Sequence, residues 1–349
     1  MKIKIDHSIL NDYVNNLLLK ANIPSQHAKI MTDVLLYANL TGKESHGITR
    51  LIMYLDRLRN NMINPNPIIR IFKENGPSVM MDGDNGFGPI VGHYSMKEAI
   101  GRSRKYGVSL VTVNNSNHMG SLGYFSKQAI DQNVIGMVIQ NTTPNMAPWG
   151  GINPTVGNNP FSIGIPSGDE IPIILDFACS TVAKGKIRIA AETNKKIDPS
   201  WALDATGKPT IDPKEALKGV VLPFGEHKGY GLAVVFGILA GILSNADYGK
   251  HVTSLFDHSQ LCGVGHFFLA IDPEYFVGIN NFKNNVDSYI RFIKSSKLKC
   301  KNEEVCMPGA RSLQYLKNQL SSGIKIESVT LKKIEKLAEQ FGIQDRLIK

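Results

Sequence analysis

The sequence has few cysteines and no long hydrophobic run. Cysteine occurs at positions 179, 262, 300 and 306 only, a spacing that fits neither a zinc site nor a dense disulfide framework. We therefore expect free thiols in a reducing cytoplasm and no metal site. The first residues lack the apolar segment and cleavage site of a secretory signal, and no stretch approaches the length of a membrane span. No membrane association is expected.

The sequence has fewer acidic than basic residues, with 30 Asp and Glu against 39 Lys and Arg, which gives a net charge of +9. A basic excess is compatible with nucleic acid, an anionic membrane or small anionic ligands. The basic residues are scattered, and the densest stretch, 294–301, is followed at once by Glu303 and Glu304. No basic stripe with interleaved aromatic residues appears, which argues against nucleic acid. An anionic ligand and a solvated basic surface both remain compatible with the charge.

Helical periodicity marks both ends of the chain. Apolar residues recur at helical spacing over 9–21, 25–40 and 49–61, and prolines at 65 and 67 then end the pattern. After Phe282 the pattern is mainly helical again and finishes with 331–340.

The middle of the chain alternates short β-branched runs with helical stretches. The predicted strands are 68–72, 78–81, 108–113, 134–140, 171–175 and 266–271, and the predicted helices are 93–105, 122–132, 182–191 and 232–244. This alternation predicts a mixed or largely parallel sheet with helices around it.

A glycine-rich segment at 86–92 lies between a predicted strand and helix and reads GxGxxxG. The spacing differs from the dinucleotide fingerprint, and Pro89 falls where a backbone N–H would be wanted. The following strand leads into Asn114 and Asn115, whereas a ribose clamp needs a carboxylate there. An ordinary turn is therefore favoured over a Rossmann site.

The segment 45–50 joins two predicted helices and combines His46, a turn at Gly47, and Arg50 in the first turn of the next helix. Free backbone N–H groups and a guanidinium together make a carboxylate site. A capping loop with a surface arginine is an equally good interpretation of these residues alone.

A second polar segment, 114–120, follows a buried strand and precedes a helix, the usual place for catalytic groups in α/β proteins. Its His118 has a side chain whose ordinary pKa suits it to take up a hydroxyl proton. The plainer alternative is a histidine that caps a polar loop.

Three further segments are candidates for anion or cofactor binding. The long Gly, Pro and Asn-rich loop 148–160 has the length of a functional loop. In 176–181, Asp176 could accept from a ribose hydroxyl, and Ser180 or Thr181 could cap a helix whose N-terminus receives a phosphate. Lys228 stands just before an apolar helix. Structural turns and plainly capped helices are the alternatives.

The amino-acid sequences and the order of these segments resemble the motifs of the type 2 malate/L-lactate dehydrogenase family, which also includes sulfolactate and ureidoglycolate dehydrogenases. The matching stretches run from about residue 38 to 275 and read GKESHGITRL, VNNSNHMGSLGY, APWGGINPTVGNNPFSIGIP, ILDFACSTVAKGKI, WALDATGKPTIDP, LPFGEHKGYGLAVVFGILAG and GHFFLAIDP, with a weaker tail at MPGARS. The chain departs from the family at DFACS, GNNP and PGA, where DMATS, GTNP and PGE are usual.

The resemblance implies a mixed α/β fold that is not a Rossmann fold. It implies a mixed-sheet domain that binds cofactor and substrate, 66–289, and a helical domain built from both chain ends, 1–65 with 290–349. It also implies a homodimer with each site completed near the subunit interface, and NAD as cofactor with NADP possible. On the residues alone, Arg188 could meet the 2′-phosphate of NADP, although a surface arginine is the plainer interpretation.

By the same resemblance, His118 matches the catalytic acid/base. The substrate-side residues are Ser45, His46, Arg50 and, in the loop that shapes the site, Asn159. The cofactor-contacting positions are Thr142, Asp176, Phe177, Ala178 and Lys228, and Ser180 joins them through its expected place at a helix N-terminus.

The activity so implied is hydride transfer between NAD(P) and a small 2-hydroxy acid, with malate to oxaloacetate as the first expectation. Ureidoglycolate, L-lactate and sulfolactate are alternatives that the sequence leaves open. A catalytically silent binding protein of the same fold is an alternative of another class, and the presence of both His118 and Lys228 argues against it.

Overall fold

A computed structural model describes residues 2–300 and 303–347 of the chain. Its α-helices are α1 (His7–Lys20), α2 (Ser25–Leu40), α3 (Arg50–Arg59), α4 (Gly88–Tyr106), α5 (Gly123–Ile130), α6 (Lys184–Glu192), α7 (Pro213–Lys218), α8 (His227–Gly237), α9 (Ile279–Lys294), α10 (Ala310–Ser322) and α11 (Ser328–Glu339). Its strands are β1 (Lys2–Ile5), β2 (Arg70–Asn75), β3 (Ser78–Asp82), β4 (Val108–Ser116), β5 (Ile135–Gln140), β6 (Pro144–Met146), β7 (Val156–Gly157), β8 (Phe161–Ile165), β9 (Ile173–Phe177), β10 (Ala202–Leu203), β11 (Val220–Val221), β12 (Val264–Ile271) and β13 (Ile324–Glu327).

The main sheet has seven strands in the order β2-β3-β4-β12-β5-β8-β9. Of the two predicted alternatives, a mixed sheet is confirmed and a largely parallel one is not, because β3 and β4 are its one parallel pair among the described strands. The reason is that β12 arrives from far along the chain and inserts between β4 and β5, antiparallel to both. Helices alternating with strands in sequence therefore do not guarantee parallel crossovers.

The two elements that flank the glycine-rich segment are longer than the sequence predicts. Strand β4 continues to Ser116 because Val264 of β12 still pairs with that residue. Helix α4 begins at Gly88, five residues before its predicted start, with Pro89 in its first turn. Proline fits there because the first helical N–H groups have no intrahelical partner. The end of β4 and the start of α4 are thus brought close together.

The helices at the two chain ends share one hydrophobic core. Its members include Leu10, Leu35, Leu55, Ile324 and Ile334, which come from both ends of the sequence. The short strands β1 and β13, which the sequence pattern did not predict, pair antiparallel and join the two ends. Among the described residues, the longest apolar helical stretch still falls short of a membrane-crossing span.

Two more cores lie on the main sheet. One packs α4 and α5 against it, with Val91, Phe125 and Phe268 at its centre. The other includes residues of α6 and α8, such as Ile187 and Phe236. The end of β4 meets the helical layer at α3, and this junction positions the candidate site.

Candidate active site

The turn before α3 leaves no space for a side chain at Gly47. The amide of Ile48 donates to Asn39 Oδ1 at 2.8 Å, and a Cβ atom at Gly47 would lie 2.0 Å from that same oxygen. A side chain at position 47 would therefore displace Asn39. The turn directs His46 and the first residue of α3 toward the end of β4.

Arg50, the first residue of α3, has a guanidinium group without an ionic partner. Its Nε donates to the carbonyl oxygen of Ser45 at 2.7 Å, and Nη1 lies 3.9 Å from the sulfur of Met53. Within residues 2–300 and 303–347, no carboxylate forms a salt bridge with it. The pKa of Arg50 is lowered mainly by burial and further by the positive charge of Arg188. A partly buried, unpaired guanidinium is a strong anion-binding group.

His118 follows β4 and is held through its Nδ1 atom. The hydroxyl of Tyr54 lies 3.0 Å from Nδ1 and donates to the carbonyl oxygen of His118, also at 3.0 Å. The amide of Gly120 donates to Nδ1 at 3.2 Å. Because a backbone amide can only donate, Nδ1 is assigned as the unprotonated nitrogen and Nε2 as the one that carries the proton. None of the described residues bonds to Nε2, which is left for a ligand.

The histidines around this position are neutral. Burial lowers the pKa of His118 well below its ordinary value, and Arg50 and His46 lower it further. Burial also lowers the pKa of His46 to about 4. The rings of His46 and His118 stack with centroids 5.5 Å apart, and Nδ1 of His46 lies 3.0 Å from Ser45 Oγ. The site therefore holds two neutral imidazoles beside one guanidinium.

The glycine-rich segment supports the loop that carries His118. A Cβ atom at Gly88 would lie 2.2 Å from the carbonyl oxygens of both Asn117 and His118. The side-chain amide of Asn117 donates to the carbonyl oxygen of Gly86 at 2.9 Å. The expectation of an ordinary turn is therefore wrong, because the segment opens α4 and packs its backbone against the loop with His118.

Asp176 joins the end of β9 to the helical layer. Its Oδ2 accepts hydrogen bonds from the Gly123 amide at 2.9 Å and from Ser121 Oγ at 3.2 Å, and it pairs with Lys43. Lys43 lies directly before the turn that contains Ser45. One carboxylate thus connects two groups of residues that the sequence assigns to cofactor and to substrate.

A cavity of about 180 Å³ lies beside Asp176. Its lining includes Lys43, Phe177, Pro308 and Gly309. The weakly matching segment MPGARS therefore lies next to the residues that resemble cofactor-contacting positions.

Asn159 is buried and uses both ends of its amide within the protein. Its Oδ1 accepts from the amide of Thr142 at 3.0 Å, and its Nδ2 donates to the carbonyl oxygen of Ala233 in α8 at 2.7 Å. The residue has a positive φ of 24°. The structure thus places it as a connection between the loop and α8.

Ser180 does not begin a helix as the sequence predicts. Its hydroxyl donates to the carbonyl oxygen of Val182, and α6 starts at Lys184 with Ala183 as an N-cap that makes no side-chain bond. The expectation that Ser180 or Thr181 caps the helix is wrong, because α6 begins only at Lys184 and the amide of Thr181 donates to the carbonyl oxygen of Leu222.

Lys228 is the second residue of α8 and is exposed. The segment just before it is tied to the Ala178–Ser180 region, since Phe224 N donates to Cys179 O at 3.1 Å. The structure therefore brings Lys228 and residues 178–180 to one area, and it gathers Ser45, His46, Arg50 and His118 in another. Asp176 and Lys43 link the second area to β9.

Tyr54 is a residue at this site that the sequence pattern alone assigned only to the helix core. It is fully buried and forms the bond to His118 described above. The available signal was its spacing, because Tyr54 stands four residues after Arg50 and so shares a helix face with it. Among the described residues there is no cluster of His, Cys, Asp and Glu side chains that could hold a metal ion.

The family model described as malate/L-lactate dehydrogenase matches residues 5–335. The chain belongs to this family. It is 38% identical to the malate/(S)-sulfolactate dehydrogenase of Methanothermus fervidus over 92% of this chain and 93% of that protein. The family resemblance of the sequence is thereby confirmed, and the chain is one of the 2-hydroxy acid dehydrogenases.

Two solved structures are similar over nearly the whole chain. The structure of the malate dehydrogenase of Entamoeba histolytica matches with a TM-score of 0.94 at 31% sequence identity, and the match covers 99% of both chains. The sulfolactate dehydrogenase of Methanocaldococcus jannaschii has a TM-score of 0.92 at 35% identity and covers 99% of this chain and 98% of that chain. Two dehydrogenases that are named for different substrates thus share this fold.

Proposed function

We propose that this member of the malate/L-lactate dehydrogenase family interconverts malate and oxaloacetate with NAD. The observation that carries the proposal is that a neutral His118, with a free Nε2, shares a site with the partly buried and unpaired Arg50. An acid/base group next to an anion-binding group suits a substrate in which a carboxylate adjoins the reacting carbon.

Arg50 binds the C1 carboxylate of the substrate in this proposal. A guanidinium can grip a carboxylate by two parallel hydrogen bonds, which fixes the orientation of C2 as well as supplying affinity. Ser45 and His46 flank Arg50 in the turn before α3 and complete the substrate side. Asn159 contributes by holding the neighbouring loop against α8.

His118 moves the proton. A bound carboxylate offsets the positive charge of Arg50, which is one cause of the lowered pKa of His118, and so favours uptake of a proton by its imidazole. Nε2 then gives its proton to the carbonyl oxygen of the 2-oxo acid during reduction. In the direction of oxidation, Nε2 takes the hydroxyl proton in the other neutral tautomer, which carries its proton on Nδ1 next to the hydroxyl of Tyr54. Tyr54 and Gly120 keep the ring oriented through Nδ1.

The nicotinamide cofactor supplies or accepts the hydride at C2 when bound. The donor set fits such a group, because the cavity beside Asp176 offers a carboxylate for hydroxyl groups and the aromatic face of Phe177. Asp176, Phe177 and Ala178 would hold one part of it and Thr142, Ser180 and Lys228 another. We expect NAD, with NADP as the second candidate, held by a fold that is not a Rossmann fold.

We also propose a homodimer in the cytoplasm, made of two domains per chain, 1–65 with 290–349 and 66–289. Support for the dimer comes from α8 and the turn after it, which leave Leu232, Val235, Ile238 and Ile242 exposed in the single chain. Such a contiguous apolar strip is typical of a surface that another chain covers.

Ureidoglycolate, L-lactate and sulfolactate are the alternative substrates, and a silent binding protein is the alternative of another class. The deciding experiment follows the absorbance of NADH and of NADPH with oxaloacetate, pyruvate and sulfopyruvate, and the oxidation of ureidoglycolate with NAD and NADP. The proposal expects the highest kcat/KM for oxaloacetate with NADH. A higher value for another acid would replace malate, and no turnover of any pair would favour the silent protein.

A further inference from the structure

Helix α6 places basic side chains beside the candidate substrate site. At its first turn, a Cβ atom at Gly185 would lie 3.9 Å from the Cβ of Ser45, so the helix passes directly by the turn before α3. Arg188 follows Gly185 by three residues and therefore faces the same side of the helix. The positive charge of Arg188 acts on both Arg50 and Lys184 and lowers the pKa of each, after burial as the main cause.

The side chain of Arg188 is positioned by an aromatic ring. Its guanidinium lies over the ring of Phe256, 4.7 Å from the centroid. A guanidinium held over an aromatic ring can still donate from its N–H groups to another partner. Phe256 itself is 54% exposed, so the ring is available on the surface of its loop for this contact.

The loop that carries Phe256 is anchored by α3. Arg57 is fully buried, and its guanidinium donates to the carbonyl oxygens of Asp257 at 2.7 Å and of Gln260 at 3.2 Å. The carboxylate of Asp56 also lies 2.9 Å from Nε2 of His258. The helix that carries Arg50 therefore also fixes the loop that holds Arg188.

These positive charges have no negative partner within the protein. Across residues 2–300 and 303–347, no carboxylate forms a salt bridge with Arg50, Lys184 or Arg188. Like charges held close together in a partly desolvated site repel one another, and an anion that contacts both arginines would relieve that repulsion. A small molecule with one acidic group at each end meets this requirement better than one with a single acidic group.

We infer that Arg188 binds the second acidic group of the substrate while Arg50 binds the first. The site would thus select dianionic 2-hydroxy acids, with a carboxylate or sulfonate at the far end, over monoanionic ones such as lactate. This inference rests on the proposed function, because it assigns the far end of the same substrate.

The test compares kcat/KM for L-malate and for L-lactate in the wild type, Arg188→Gln and Arg188→Lys. Loss of one charge-assisted hydrogen bond predicts that Arg188→Gln lowers the value for malate by about 10- to 100-fold. The value for lactate should change less than about threefold, because lactate has no group that reaches Arg188. Arg188→Lys keeps the charge and should fall between the wild type and Arg188→Gln.

The matched control is Lys195→Gln, which removes the same charge from an exposed residue just beyond α6. It should leave both values unchanged. An equal loss for malate and lactate in Arg188→Gln would overturn the inference in favour of a structural role. A loss confined to the KM of NADP would also overturn it and assign Arg188 to the cofactor phosphate.

Failure of the proposed function can be separated from failure of the inference. If the wild type turns over no acid, the proposed function fails, and the inference is decided by calorimetric titration with L-malate and L-lactate. Tighter binding of malate that disappears in Arg188→Gln supports a dianion site. Equal binding of both acids, or no binding of either, overturns it.

Discussion

The protonation state of His118 is set by its neighbours. Burial and the charge of Arg50 keep His118 neutral, while the Gly120 amide decides which nitrogen carries the proton. A bound substrate carboxylate offsets the charge of Arg50 and so raises the pKa of His118 again. Proton uptake is therefore expected to accompany binding of the 2-oxo acid and not to precede it.

His118→Ala removes the group that we assign to proton transfer. Turnover should fall by about 100- to 10,000-fold, which is the usual contribution of a positioned acid/base group. Affinity for NADH should stay nearly unchanged, because the proposed cofactor contacts lie around Asp176. Steady-state kinetics and a fluorescence titration with NADH measure the two quantities. Turnover within about tenfold of the wild type would contradict the role.

At the scale of single residues, the sequence pointed to the groups whose chemistry stands out. His118 and Arg50 sit in polar segments next to regular elements, and the structure brings them together. Tyr54 could not be recognised in this way, because a tyrosine among apolar residues of a helix predicts core packing. Its contact with His118 depends on where α3 meets the end of β4, which is tertiary information.

At the scale of elements, the start of α4 acts as a support for the loop that carries His118. The backbone of Gly88 approaches the carbonyl groups of Asn117 and His118 so closely that no side chain fits between them. The glycine pattern in the sequence therefore has a packing cause, in keeping with a spacing that differs from the dinucleotide fingerprint.

Gly88→Ala should push the His118 loop away from α4 and lower kcat by about tenfold or more, because small displacements of catalytic groups are costly. It should also lower the free energy of unfolding by about 1–3 kcal/mol through overpacking. The control is Gly101→Ala in the same helix, where a Cβ meets nothing within 4 Å. That variant should keep full activity and gain up to about 1 kcal/mol. Urea unfolding and kinetics distinguish them, and equal behaviour would contradict this packing account.

Most regular elements could be predicted from periodicity, but their pairing could not. Strands β4, β5 and β12 were found within a few residues, since each is a buried β-branched or aromatic run. Strand β8 lies in a Gly-rich stretch and was missed. The direction of the sheet was also missed, because β12 pairs with strands more than 100 residues away in sequence.

At the scale of the whole molecule, buried histidines make stability depend on pH. Burial lowers the pKa of His46 to about 4 and of His266 to about 3, and lowers that of His118 as well. In the unfolded chain each takes up a proton near pH 6.5, whereas the folded chain keeps it neutral. Their contribution to the free energy of unfolding is therefore fully present above about pH 6.5 and is lost as the pH falls toward about 4.

Each of these histidines contributes a slope of about 1.4 kcal/mol per pH unit in that window. Urea unfolding between about pH 7.5 and about pH 5 measures the combined slope. His266→Gln removes one of these groups and should lower the slope by about 1.4 kcal/mol per pH unit. A free energy of unfolding that stays constant over this range would contradict the burial of neutral imidazoles.

The ion pair between Lys43 and Asp176 has a kinetic consequence. A ribose that competes for the Asp176 carboxylate would loosen Lys43, and Lys43 is contiguous with the turn that presents Ser45 and Arg50. Binding of the cofactor at Asp176 would then change the position of the substrate-binding residues Ser45 and Arg50. We expect a compulsory order in which the dinucleotide enters first and the acid leaves first, so that the ternary complex assembles along one route.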